Sequence, residues 1–393
     1  MVLQKQKPFL SVGNRHPSAR KLKSSVPGYT LVELLVSVTV ILVVLAVAGA
    51  AYLKVMRSFK VQASLPEGRM SHLTGLELLR YDVEMAGYGL PFDVNGTSFA
   101  EAASSGSATP DPNAFNDSPN APRAMAFSNN GNTSAHNSDV LVLKSAVANV
   151  SGTSRKWSVL YHDGANWKVK DWNSSELDFS TGERFIVLDT DKQLQKKGGA
   201  WFFTFAGSYH TSVGGADPVP TPSDTHHIFL LYGIDPDTDL RMPFNRVDYY
   251  LDTPASGLPD RCDPNSYILY RATINQGNGV RNPQPMIDCV RDFQVAFGLD
   301  TDGDAIVDAW SKDLNLGDTN GNGTADEIRS QLKEVRIFLL VQDGVRDDNY
   351  DFNGTLTLGD TNTTALSTFT PAGDARHYRW KVFKLAVKPM NLG

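Results

Sequence analysis

The sequence predicts an α+β protein: a long amino-terminal helix, first membrane-spanning and then amphipathic, followed by a large antiparallel β-sheet head with long loops. Three observations carry that reading. Residues 29–53 hold a single charge, Glu33. Residues 54–90 place apolar side chains at helical spacing. Beyond residue 90, short runs rich in aromatic and β-branched residues alternate with Gly, Asp, Asn and Pro clusters.

The first 28 residues carry Lys5, Lys7, Arg15, Arg20, Lys21 and Lys23 and no acid. The whole chain has a formal net charge of −6, so the remainder is distinctly acidic. That balance argues against general nucleic-acid binding, which needs a basic footprint. A secretory signal places its small-residue cleavage site after the apolar run, whereas Gly28 stands before it. As a helix, residues 29–53 would extend roughly 38 Å, enough for a hydrocarbon core of about 30 Å. The positive leader keeps the amino end cytoplasmic and sends residues 91–393 across. Glu33 is then the anomaly. A carboxylate in hydrocarbon costs roughly 2.5–3.5 kcal/mol on insertion scales, so it is a functional candidate.

The segment "GYTLVELLVSVTVI", behind its basic leader, resembles the class III signal of type IV prepilins and type II secretion pseudopilins. The resemblance implies a pilin-like fold and removal of residues 1–28 by prepilin peptidase, between Gly28 and Tyr29. It implies N-methylation of Tyr29, where the family most often has Phe. It also gives Glu33 an assembly role. In a bundle of such helices, its carboxylate would meet the new α-ammonium of a neighbour, offsetting the desolvation of a lone charge. The stretch "LELLRYDVEMAGYG" is similar to the end of the first helix in PilW-like minor pilins, and "RVDYYLD" followed by "SYILYRATI" adds to that likeness. The implied function is a minor pilin of a type IV pilus, entering the filament or priming its assembly. Its implied partners are other pilins, the peptidase and the inner-membrane assembly machinery. The implied location is the inner membrane with the head in the periplasm, then the cell surface after assembly. A type II secretion minor pseudopilin is the alternative within that architecture. A membrane-tethered adhesin or ligand-binding head, using residues 94–137 as its contact surface, is the alternative of another class.

Along residues 54–90, Pro66 and Gly68 predict a break or kink. Leu73, Leu76, Leu79 and Val83 then resume a core-facing stripe that should run to about Met85. Residues 94–137, rich in Asn, Ser, Ala, Gly and Pro, predict a surface loop with little core of its own. Strands are predicted at "DVLVLKSA", "KWSVLYH", "RFIVLD", "WFFTFAG", "HIFLLYGI", "RVDYYLD", "SYILYRATI", "FQVAFGLD", "VRIFLLVQD" and "KVFKLAVKP".

A second informative stretch spans residues 300–327. Asp300, Asp302, Asp304 and Asp308 stand at relative positions 1, 3, 5 and 9, and Asp318, Asn320, Asn322 and Asp326 repeat that spacing. Alternating oxygen side chains suit Ca²⁺, with the backbone carbonyl of Ile306 or Thr324 at position 7. Position 12 holds Ser311 or Arg329 rather than a bidentate acid, so these are short structural loops rather than complete EF-hands. Plain Asx turns are the alternative. "DFNGT", at 351–355, reads as a hairpin turn. Cys262 and Cys289 would pair in an oxidising compartment or stay separate as buried thiols. No zinc-protease helix, phosphate-binding glycine loop or nucleophile elbow occurs, which predicts a non-enzyme.

Overall fold

The computed structural model describes residues 30–106, 110–165, 167–206, 226–314 and 324–392, without the side chains of 57–71. The chain opens on α1 (Leu31–Glu84) and divides into two units at Phe59–Lys60. In the first unit, α1 is apolar and solvent-facing over the 26 residues Leu31–Met56, a length compatible with a membrane anchor.

In the second unit α1 runs on through Pro66 and Gly68, so no break occurs there. A proline removes one backbone hydrogen bond, which a helix of 54 residues can outlast. The helix ends at Glu84, within one residue of the expected Met85 and inside the 54–90 segment. Gly87, at φ +84°, turns the chain left-handed, and its N–H donates to the Lys144 carbonyl at 2.9 Å. The chain's last residues cover this end: Met390 N and Asn391 Nδ2 both donate to the Glu84 carbonyl, and Leu392 is buried. Leu79 and Val83 face the core as predicted, but Leu73 is 58% exposed. The buried stripe is instead His72, Gly75, Leu79, Asp82, Val83 and Ala86, with Leu76 partly buried. Two of its members are polar, which is why an apolar count misplaces it. A Cβ at Gly75 would lie 2.6 Å from Ile287 Cγ1, so glycine permits the helix to approach this closely.

The described strands follow in chain order. They are β1 (Met125–Asn132), β2 (Ser138–Ser145), β3 (Trp157–His162), β4 (Trp167–Val169), β5 (Arg184–Leu188), β6 (Phe203–Thr204) and β7 (Phe229–Asp235). Then come β8 (Asn245–Asp252), β9 (Tyr267–Ile274), β10 (Arg281–Leu299) and β11 (Ala309–Ser311). A short helix, α2 (Ala325–Gln331), precedes β12 (Leu332–Gln342), β13 (Leu356–Asp360), β14 (Thr364–Phe369) and β15 (Trp380–Val387). The main sheet has the order β1-β2-β8-β9-β10-β12-β15, with β11 beside β10. Every described pairing in it is antiparallel. A separate five-stranded sheet, β4-β3-β7-β5-β6, is inserted between β2 and β8 and has its own aromatic cluster around Phe179, Phe185, Phe203 and Phe229.

All ten predicted runs meet strands; β1, β4, β11, β13, β14 and the first half of β10 carried no such signal. That half of β10 contains Pro283 and Pro285, which argue against a central strand. Its pairing with β9 covers Arg281–Val290, whereas pairing with β12 begins at Val290, so the prolines need only one neighbour. The hairpin β13–β14 turns after Asp360 rather than at 351–355, where Asp351 instead pairs with Arg376. The expected surface loop at 94–137 is also different. Phe99, Ala102 and Phe115 are buried, and its polar residues Glu101 and Asp117 are buried with them because Lys144 pairs both. A composition count scores those carboxylates as solvated and so misses the packing.

One buried ionic contact seats α1. Asp82 Oδ2 accepts from Tyr249 Oη at 2.5 Å and from Arg271 Nε at 2.6 Å, with all three residues almost fully buried. Removing one member leaves a charge uncompensated in the interior. Asp82→Ala should therefore cost about 3–5 kcal/mol in denaturant unfolding of the detergent-solubilised chain, and Asp82→Leu with Arg271→Met should restore much of it. An unchanged midpoint for the single variant would remove the seat from the account.

Asp139, buried on β2, accepts from Asn130 N and Val295 N, both at 2.8 Å. Burial pushes its carboxyl up to about 8. The folded chain thus keeps a proton that the unfolded chain releases near 3.8. Between those values the folded state binds more protons, so this group's contribution to stability falls as pH rises from about 4 to 8. Melting followed across that window should show a shallower decline in Asp139→Asn than in the parent chain. Parallel slopes would contradict the assignment.

Candidate functional site

At the start of α1, Glu33 and Thr30 form a reciprocal cap. Glu33 N donates to Thr30 Oγ1 at 3.2 Å, and Thr30 N reaches Glu33 Oε2 at 3.5 Å. The pattern T-x-x-E, which the sequence reading passed over, carries that signal. Glu33 is exposed, so its carboxylate caps the first turn and remains reachable from outside. Gly28 and Tyr29 lie outside the described residues.

Further along, His72 sits on the sheet with Nε2 3.7 Å from Asp288 Oδ1 and its ring edge-on to Phe383. Arg261 completes the contact with Asp288. The neighbouring His72 imidazole, with help from Arg261, outweighs burial and holds the Asp288 carboxyl below its ordinary range. The neighbouring residues Cys262 and Cys289 are joined as a disulfide. The bond thus ties the loop bearing Arg261 to the strand bearing Asp288.

The first acidic loop follows β10. Carboxylate oxygens of Asp300, Asp302 and Asp304 all lie within 4.8 Å of one another. Asp300 is buried and accepts from Gly303 N at 2.6 Å and Ala305 N at 2.9 Å, while Asp302 and Asp304 are exposed. Three carboxylates at such separation suit a hard cation. Asp308 does not join them, because its Oδ2 accepts from Thr301 N and Oγ1. Ile306 lies on the exposed rim, its N–H on Asp304 Oδ1. The second loop is used differently where it is described. Thr324 caps α2 in a capping box with Glu327, and its carbonyl accepts from Ile328 N. Asp326 lies in the first turn of α2 and pairs with Arg329. Helix formation there takes up groups that the spacing had assigned to a cation. Asp318, Asn320 and Asn322 lie outside the described residues.

Against known proteins, residues 248–391 match the model of the family described as Type IV Pilus-assembly protein W. Over that stretch the chain is similar to PilW. The matched stretch runs from within β8 past the end of β15 and includes Tyr249 and Arg271; Asp82 and the inserted sheet lie outside it. A type IV-like pilin from Thermus thermophilus is similar at 15% identity over 39% of this chain and 70% of that one, with a TM-score of 0.24. A likeness at that score carries no argument. No curated protein matches the chain.

The disulfide joins residues 27 apart, so replacing both cysteines with serine should lower unfolding free energy by about 3 kcal/mol. An unchanged unfolding curve under oxidising conditions would mean that the bond constrains nothing.

Proposed function

We propose that this type IV pilus-related protein is a minor pilin. Prepilin peptidase cuts between Gly28 and Tyr29, Tyr29 is methylated, and the helix from residue 29 holds the chain in the inner membrane with its head in the periplasm. Other pilins and the inner-membrane machinery then draw it into the filament, or it primes their assembly. The PilW match at 248–391, on a chain with an exposed apolar helix at Leu31–Met56, is the observation that carries the reading. Glu33 supplies the assembly contact, and its capping geometry leaves the carboxylate at the surface of the first turn. The role is structural rather than catalytic. A separate adhesin reading has less support, since much of its intended contact surface at 94–137 is packed inward.

Glu33→Val should leave membrane insertion and processing intact and deplete the protein from sheared filaments, read by quantitative blotting of membrane and filament fractions. Equal abundance in filaments would refute the assembly role.

The loop Asp300–Asp308 is proposed to hold a structural Ca²⁺ through Asp300, Asp302 and Asp304, with the Ile306 carbonyl as a further ligand. Such an ion would tie the end of β10 to β11. Added calcium at about ten times its dissociation constant should raise the melting midpoint by roughly 2–4 °C, with Asp302→Asn blunting the rise. A midpoint indifferent to calcium, after chelation is verified, would leave only Asx turns.

A further inference from the structure

A second buried charge cluster lies where residues 95–106 and 110–124 pack on β2 and β8. Lys144 is fully buried, with Nζ 2.6 Å from Glu101 Oε2 and 2.5 Å from Asp117 Oδ2. Its third hydrogen bond goes to the Phe115 carbonyl at 3.1 Å, and the Phe244 ring centroid lies 5.2 Å away. The two carboxylates differ in their surroundings. Asp117 Oδ1 accepts from Arg123 Nε at 2.6 Å, and its Oδ2 accepts from Arg123 N at 2.8 Å. Glu101 Oε1 accepts from Asp117 N at 2.6 Å and Ser118 N at 3.2 Å, which leaves Oε2 toward the lysine. Arg246 NH1 stands 3.6 Å from that Oε2.

We propose that Lys144 and Asp117 form a self-crosslinking pair, joined by an isopeptide bond that Glu101 assists. A nitrogen this close to a carboxylate oxygen lies about 3–3.5 Å from its carbon, the near-attack range. The starting state is the ion pair: burial raises the Asp117 carboxyl, but Lys144 and Arg123 outweigh it and hold it below the ordinary range. One ammonium proton passes to Asp117 Oδ2 across their hydrogen bond, giving the neutral amine and neutral acid from which attack starts. The amine then bonds Asp117 Cγ while a second proton passes to Glu101 Oε2. Arg123 Nε holds the oxyanion on Oδ1. Glu101 returns its proton to Oδ2, the Cγ–Oδ2 bond breaks, and water leaves carrying both protons. An ammonium and a carboxylate become an amide and one water, with no oxidant or cofactor needed. Fixed geometry lowers the barrier, since effective molarities of about 10⁵–10⁸ M are reached by well-aligned intramolecular groups. The product fastens the stretch around Asp117 covalently to β2.

The test is peptide mapping by mass spectrometry of the full chain, purified in detergent from its native membrane and reduced. The expected result is a branched peptide joining the Asp117 and Lys144 regions, one water lighter than the two separate peptides, and lost in Lys144→Arg. Linear peptides bearing free Lys144 and Asp117 at full mass overturn the proposal, whatever the variants do. Glu101→Gln reads the assisting role, scored on chains that circular dichroism shows to be folded. Loss of the branched peptide supports that role, and an undiminished yield removes Glu101 from it.

Discussion

The buried carboxylate of Asp82 is the constraint on which the arrangement of this head depends. A helix that is apolar at one end must still be held by a folded body at the other, and three nearly solvent-free side chains do this. Arg271 and Tyr249 both aim at Asp82 Oδ2, so helix, β8 and β9 converge on a single oxygen. Because ion and partners are buried together, the contact holds the Asp82 turn of α1 against β8 and β9. Gly75 against Ile287, His72 against Asp288 and the tail residues on Glu84 accompany that seating.

The three members of the seat come from three separated stretches, "LELLRYDVEMAGYG", "RVDYYLD" and "SYILYRATI". Those stretches carried the likeness to PilW-like proteins, and the family match covers the two in β8 and β9. The matched stretch therefore includes the strands that receive the helix. The inserted five-stranded sheet falls between β2 and β8, with its own aromatic cluster and no part in the match. A scaffold that seats an anchor helix can accept such an insertion, because both ends of the inserted chain return to neighbouring strands.

The fold class and the principal strands were legible because long apolar runs and regular alternation report burial directly. Three features were hidden for physical reasons. The buried stripe of α1 contains His72 and Asp82, whose partners are far off in sequence. The segment over β2 is rich in polar residues that satisfy one another, so composition assigns it to solvent. Pro283 and Pro285 argue against a strand until it is seen that β10 has only one neighbour at those positions. Among candidate site residues, Asp300, Asp302 and Asp304 come together as their spacing suggests, whereas Asp308 and Asp326 are drawn off by Thr301 and by α2. Spacing fixes which groups can meet; competing hydrogen-bond partners decide which of them do.

The central claim is that the chain leaves its leader behind and enters a filament. Amino-terminal sequencing and intact-mass measurement of protein taken separately from membranes and from sheared surface filaments test it most directly. The account predicts a chain beginning at Tyr29, one methyl group heavier, in the filament fraction. A chain that retains residues 1–28 and is absent from filaments would contradict it.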